Sequence, residues 1–200
     1  MVNSVAPYGL QACMTSDGGL LRVNRYWAPA SLASLGIGTP VNLGGTANTA
    51  NTTNGQETPA GTMPSIVVAT GGDGNKLLGA IIGFELDPND LQQAGYNPAS
   101  NGRIALVADH PMQKFTIIDS GTAVQVTDIG QNANLTIGTV NAFTGLDSTT
   151  FNSAALAGTS TFQLKLLSLY NAPDNVIGTA NGQYVVQINN HIFGNVTAGV

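Results

Sequence analysis

Arg103-Ile104-Ala105-Leu106-Val107-Ala108-Asp109-His110-Pro111-Met112-Gln113-Lys114-Phe115-Thr116-Ile117-Ile118-Asp119 is the stretch whose reading decides the fold. Arg103–Asp109 and Gln113–Asp119 are short, rich in β-branched and apolar residues, and read as strands. His110-Pro111 between them reads as a tight hairpin connection. On the N-terminal side, Lys76–Leu86 reads as a long strand, in which Gly79 and Gly83 mark bends or close backbone approach. Ser65–Thr70 and Thr39–Gly45 precede it as strands. Towards the C-terminus, Thr122–Ile129 alternates around Val124 and Val126, and Asn134–Ile137 is a weaker candidate. Thr161–Tyr170 and Gln183–Asn189 alternate more clearly, the latter with Tyr184, Val186 and Ile188 on one face.

No apolar period of 3.6 residues is sustained over three turns, and no βαβ alternation occurs. The expected class is all-β, a small barrel or a sandwich, with one or two short helices. Asp87–Gly95 has the chemistry of one: Asp87 as N-cap, Pro88 at the first helical position, Gly95 at the end. Ala30–Leu35 could add a helical turn or two. Residues 1–30, with Pro7, Pro29 and Gly18-Gly19, read as an extended, irregular N-terminal arm, and residues 31–200 as a single β domain. Thr46–Met63, low in complexity, reads as an exposed loop, and residues 141–160 as connection.

The composition narrows the function. Six Lys+Arg and eleven Asp+Glu make 8% of the 200 residues, where roughly 25% is usual. Neutral residues supply the polarity: 21 Thr and 20 Asn, beside 25 Gly. Six cations cannot neutralise a phosphate track, so no nucleic-acid partner is expected. The longest apolar run, Leu77–Phe84, is far short of the roughly twenty residues of a spanning helix, and no membrane partner is expected. Met1-Val2-Asn3-Ser4 opens without a basic stretch or a following apolar segment, so the expectation is a soluble protein not exported by the standard route.

Motifs for chemistry are missing. Gly72-Asp73-Gly74-Asn75-Lys76-Leu77 leads into a strand and lacks the Ser/Thr of a phosphate loop. Asp109-His110 is the one metal-ligand adjacency, and strand neighbours face opposite ways; His110 reads as a turn residue and His191 as a strand-end residue. Cys13, the only cysteine, reads as a half-buried apolar side chain. Glu57 lies in the low-complexity loop, and Glu85 at a strand end is the better candidate acid, without an evident partner. The Asn-x-Thr sequons at Asn51, Asn134 and Asn195 read as compositional accidents in a chain without a secretory signal. No enzyme activity, no metal and no cofactor are expected.

Leu77-Leu78-Gly79-Ala80-Ile81-Ile82-Gly83-Phe84-Glu85-Leu86-Asp87-Pro88, Arg103–Pro111 and Phe115-Thr116-Ile117-Ile118-Asp119 resemble head-decoration (capsid cement) proteins of tailed bacteriophages. Ala6-Pro7-Tyr8-Gly9-Leu10 and Val186-Gln187-Ile188-Asn189-Asn190-His191 are similar to the same group, so the resemblance covers most of the chain as a pattern of apolar strands and turns. It implies a β-tulip-like barrel with a flexible N-terminal arm, made in the host cytoplasm and placed on the exterior of the mature capsid. The implied partners are the major capsid protein and the chain itself, as a homotrimer or else a dimer. The chain is longer than the smallest members, so residues 121–200 read as strands added to a barrel core of residues 31–120.

In that role residues 1–30 would order on docking, by adding a strand to a capsid loop. Tyr8, Leu10, Arg22, Arg25, Tyr26 and Trp27 are residue types that anchor interfaces. The other reading of Tyr26-Trp27 is that the pair packs on the end of the barrel. A competing function is a glycan- or receptor-binding β-domain of a phage tail fibre or adhesin, with Trp27 or Tyr96 stacking on a sugar. A third is a hydrolase that uses Glu85.

Overall fold

Gly79 stands where two strands of a barrel meet so closely that a Cβ would overlap the carbonyl oxygen of Ala108. In the computed structural model, which describes residues 6–16, 18–30, 33–49, 58–86, 92–99 and 101–194, this approach joins β5 (Gly79–Phe84) to β6 (Arg103–Ala108). Gly83 follows a shift of register between the same two strands, so both strand glycines carry the backbone roles expected of them. Three more strands close the barrel: β2 (Asn24–Ala28), β3 (Pro40–Ala47) and β4 (Pro64–Val68), in the order β2-β4-β3-β5-β6. All its pairings are antiparallel except β2 with β4, where Trp27 lies opposite Ser65.

The second layer is an antiparallel sheet in the order β1-β7-β12-β11-β8. Its strands are β1 (Gln11–Thr15), β7 (Gln113–Ile118), β8 (Asn132–Ala133), β11 (Leu164–Leu169) and β12 (Gln183–Ile188). β9 (Leu135–Thr136) and β10 (Thr150–Phe151) form a separate pair. The class is therefore all-β, and among the described residues the helical content is two 3-10 turns, Val126–Asp128 and Ser153–Ala155. Tyr26, Leu35, Val41, Ile66, Leu78 and Ile81 fill the barrel. Phe115, Ile117, Leu166, Tyr184, Val186 and Ile188 belong to the core on the sheet, with Ala69, Ala80 and Ala108 of the barrel packed into it. The alanines let the two layers approach, because residues one apart on a strand face opposite ways: Ile81 points into the barrel and Ala80 towards the sheet.

Several expectations need correction. His110-Pro111 does form a tight turn, with Gln113 N–H donating to the His110 carbonyl at 2.9 Å, but the flanking strands do not pair. β6 is bonded on its two edges to β2 and β5, and β7 to β1 and β12, so the turn is a corner from barrel to sheet. Residues 6–30 are not an arm: they supply β1 and β2, and Leu10, Tyr26 and Ala28 are buried. β8, β11 and β12, from the stretch read as added strands, lie in one sheet with β1 and β7 and outside the barrel. Thr122–Ile129 is not a strand; the Asp128 carboxylate accepts from Gln125 N–H at 2.8 Å and closes a 3-10 turn. Residues 141–160, read as connection, include β10.

The low-complexity loop is tied at both of its described ends. β3 runs into it as far as Ala47, and Asn48 bonds the Pro59 carbonyl and Met63 N–H, each at 2.9 Å. Cys13, expected half-buried, is exposed. The helix expected from Asp87 lies largely outside the described residues, and residues 92–95 are not helical.

Gln163, fully buried, links both layers. Its Nε2 donates to the Thr70 carbonyl at 2.8 Å, and its Oε1 accepts from Gly72 N–H at 3.0 Å and Leu135 N–H at 3.1 Å. Gln163→Leu keeps the bulk and removes the partner of three backbone groups, of which Leu135 N–H is buried and Gly72 N–H half-buried. A loss of about 3 kcal/mol is expected, since each unpaired group costs about 1–3 kcal/mol. Urea denaturation checks it: the midpoint should fall with the slope unchanged.

Candidate functional site

Of the six residues singled out for an interface, three are spent on the fold. Leu10 is in the core on the sheet. Tyr26 lines the barrel, where its hydroxyl donates to Asp109 Oδ2 at 2.5 Å. Burial pushes the Tyr26 pKa well above its ordinary value, and the hydrogen bond and charge of Asp109 push it the same way. Trp27 is buried with Met63 and Ile104, its ring against Gly102, where a Cβ would collide with it. These side chains pack within the chain and offer nothing to a partner, which also removes Trp27 as a platform for a sugar ring. Tyr8 is half-buried; burial raises its pKa against a hydrogen bond with Thr116. Only Arg22 and Arg25 are exposed, and Arg25 is committed, with Nε 2.5 Å and Nη2 2.8 Å from the Glu85 carboxylate.

The same ion pair engages both carboxylate oxygens of Glu85, the candidate acid, with the Arg25 guanidinium. Glu57 lies outside the described residues. Among the described residues no group of three His, Cys, Asp or Glu side chains is placed to hold a metal. Buried Asp109 accepts from Tyr26 and, at 2.9 and 3.0 Å, from Asn24 Nδ2. Buried Asp119 accepts from the N–H groups of Gly121, Asn181 and Gly182 at 2.7–2.9 Å. Burial raises the Asp119 pKa against those three donors, one of them Asn181 at φ 60. These carboxylates fix turns and strand ends.

An exposed apolar surface is the feature that sequence reasoning missed. Ser16 N–H donates to the Met112 carbonyl at 2.8 Å, and Asn24 bonds Asp109, so the segment between them spans the barrel-to-sheet corner. That segment exposes Leu20 (91%), Leu21 and Val23, with Met14 and Met112 exposed beside its anchor. Arg22 is the charge among them. Next to Met112 opens a cavity of about 340 Å³, lined by Pro111, Met112, Lys165, Gln187, Ile188 and His191 among others. Leu20-Leu21-Arg22-Val23 was legible as an apolar run after Gly18-Gly19, but only three-dimensional context shows which strand-like residues stay outside.

His191 is buried at this cavity, not merely at a strand end. Its Nδ1 accepts from Phe193 N–H at 2.9 Å, which keeps the ring neutral with its proton on Nε2. Burial lowers its pKa, against the Leu78 carbonyl and the charge of Asp109, with His110 adding to the lowering. Neither a protein-family model nor a curated protein matches the chain.

A pH dependence follows from His191. The unfolded chain takes up a proton near pH 6.5 that the folded chain resists, so stability is full above about 6.5 and declines as pH falls. Asp119, raised, has the opposite sign, its contribution being lost as pH rises through the acid range. Urea midpoints should therefore drop between about pH 7 and pH 5.5, and His191→Asn, whose amide oxygen can accept from Phe193 N–H, should flatten that slope.

Proposed function

We propose that this protein is a structural virion protein: a head-decoration protein that binds the outside of the mature capsid of a tailed bacteriophage and strengthens contacts between capsomers. Its partners in this reading are the major capsid protein and further copies of itself, as a trimer or a dimer. The observation that carries the reading is the exposed apolar surface of Met14, Leu20, Leu21, Val23 and Met112, on a chain with few charges. Apolar area left in water is available to a partner, and a nearly neutral surface loses little on being desolvated. The resemblance in sequence supports the same reading, because its three central stretches fall on β5, β6 and β7.

The mode of attachment differs from strand addition by a flexible arm. Residues 11–15 and 24–28 are already paired, so docking is by a preformed surface, with little ordering cost. A protein that binds the expanded shell better than the open one stabilises it by mass action and needs no chemistry.

Co-sedimentation of the purified protein with expanded heads that lack it tests the proposal. Binding is expected, with a higher melting temperature of the heads, and with affinity changing less than about threefold between roughly 50 and 300 mM salt, because few charges are available to be screened. Leu20→Asp should weaken binding at least about tenfold if this residue lies in the contact. No binding to heads at any stage of maturation overturns the reading.

A further inference from the structure

Phe143 is 98% exposed, yet the turn that carries it is tightly built. Asn141 Oδ1 accepts from Phe143 N–H at 2.9 Å and from Thr144 N–H at 3.3 Å, and the Asn141 carbonyl accepts from Gly145 N–H at 2.8 Å. Below the tip, Ser148 N–H donates to the Thr139 carbonyl at 3.0 Å, and Thr139 N–H to Ser148 Oγ at 2.9 Å. The barrel end holds the base of the turn: Ile37 N–H donates to the Gly145 carbonyl at 2.9 Å, and Asp147 N–H to the Ile37 carbonyl at 3.0 Å. The phenyl ring adds nothing to the folding of its own chain. Held on a fixed turn, it would lose little conformational freedom on entering a contact.

The cavity beside Met112 is the complement. Pro111, Met112 and Ile188 give it apolar walls, and exposed Phe193 follows His191 at its edge. Its volume of about 340 Å³ has room for a phenyl ring, and none of its lining residues comes from the Phe143 turn. Lys165 in the wall brings a cation that an aromatic face can meet. The tip residues beside Phe143, Ala142 and Thr144, are uncharged, so nothing at the tip repels the cavity.

We propose that these are the two halves of one contact: Phe143 of one copy enters the Pro111–Met112–Ile188 cavity of the next. Knob and cavity lie on different segments, so two copies can exchange the contact across a two-fold axis as a dimer, or many can repeat it head-to-tail, closing into a ring if the rotation permits and otherwise extending as a filament. The proposal rests on the self-association half of the functional reading; Met112 borders both surfaces, so capsid attachment is read on the Phe143→Asp chain, which keeps that residue.

Analytical ultracentrifugation of the full chain tests it with two single variants and their mixture. Phe143→Asp removes the knob, and Met112→Glu puts a carboxylate at the cavity; both positions are exposed, so folding should persist, as circular dichroism and thermal unfolding will report. Should Met112→Glu misfold, Met112→Trp fills the cavity instead. The wild-type chain is expected to associate with rising concentration, and each variant alone to associate at least about tenfold more weakly. An equimolar mixture is expected to recover a 1:1 heterodimer and to grow no further, because one chain keeps an intact cavity and the other an intact ring. Three results overturn the proposal: a wild-type chain monomeric at all concentrations, a Phe143→Asp chain that associates like wild type, or a mixture that stays monomeric. Head binding by a monomeric Phe143→Asp chain would leave the capsid reading intact, while self-association without head binding would leave this contact intact and overturn that reading.

Discussion

Where connecting segments of the barrel meet those of the sheet, backbone groups that no ladder reaches need partners. Neutral side-chain amides supply them. Gln163 bonds backbone groups of Thr70, Gly72 and Leu135 with its side chain, while its own carbonyl accepts from Asn189 and Asn190. Asn189 carries the chain of contacts to the carbonyls of Ser160 and Phe162 at 2.7 and 2.9 Å, and Asn190 reaches the Asn75 carbonyl at 3.1 Å. A buried amide can satisfy a donor and an acceptor at once without the desolvation cost of a charge. The Asn-rich composition thus has a structural use: it joins connecting segments of the barrel to those of the sheet without buried charge.

That arrangement explains what was legible beforehand. Alternation fixes which face of a strand is buried, and β12 shows it plainly: Tyr184, Val186 and Ile188 are buried with half-buried residues between. β6 and β7 were legible as strands for the same reason. Their partners were not, because a short turn such as His110–Met112 closes a hairpin or rounds a corner with the same residues. The choice depends on edges offered by β2 and β5 to one strand and by β1 and β12 to the other, all distant in sequence. In residues 122–129 the pattern misled: Val124 is buried and Val126 exposed, and a local carboxylate bond bends the backbone.

The candidate site was less legible than the fold. Tyr, Trp and Arg are enriched both in interfaces and among residues that a barrel buries, so residue type alone could not decide for Tyr26 and Trp27. Their strand is the barrel's closing strand, paired with both β4 and β6; Tyr26 faces into the barrel, and Trp27 faces the other way and is covered by Met63 and Ile104. Arg22 and Arg25, on the same stretch, do stay outside. Phe143 carries no signal at all in the sequence. It sits in a Thr/Ser/Gly-rich run where an aromatic residue is as readily a core plug as a knob, and only the Asn141 turn shows which it is.

The charge count takes on a sharper meaning once burial is known. Arg103, Asp109, Asp119 and Asp147 are buried among hydrogen-bond donors or acceptors, and Arg25 and Glu85 neutralise each other at the surface. The charge left to face solvent is therefore smaller than the composition alone implies. Charged side chains of either sign must be desolvated when a surface is buried, and a chain with so few of them has little of that cost to meet. Exposed Leu20, Met112 and Phe143 on such a surface would be a hazard for a protein that works alone. In the assembled state proposed above, the same features would lower the cost of bringing neutral surfaces together, because few charges would have to leave water.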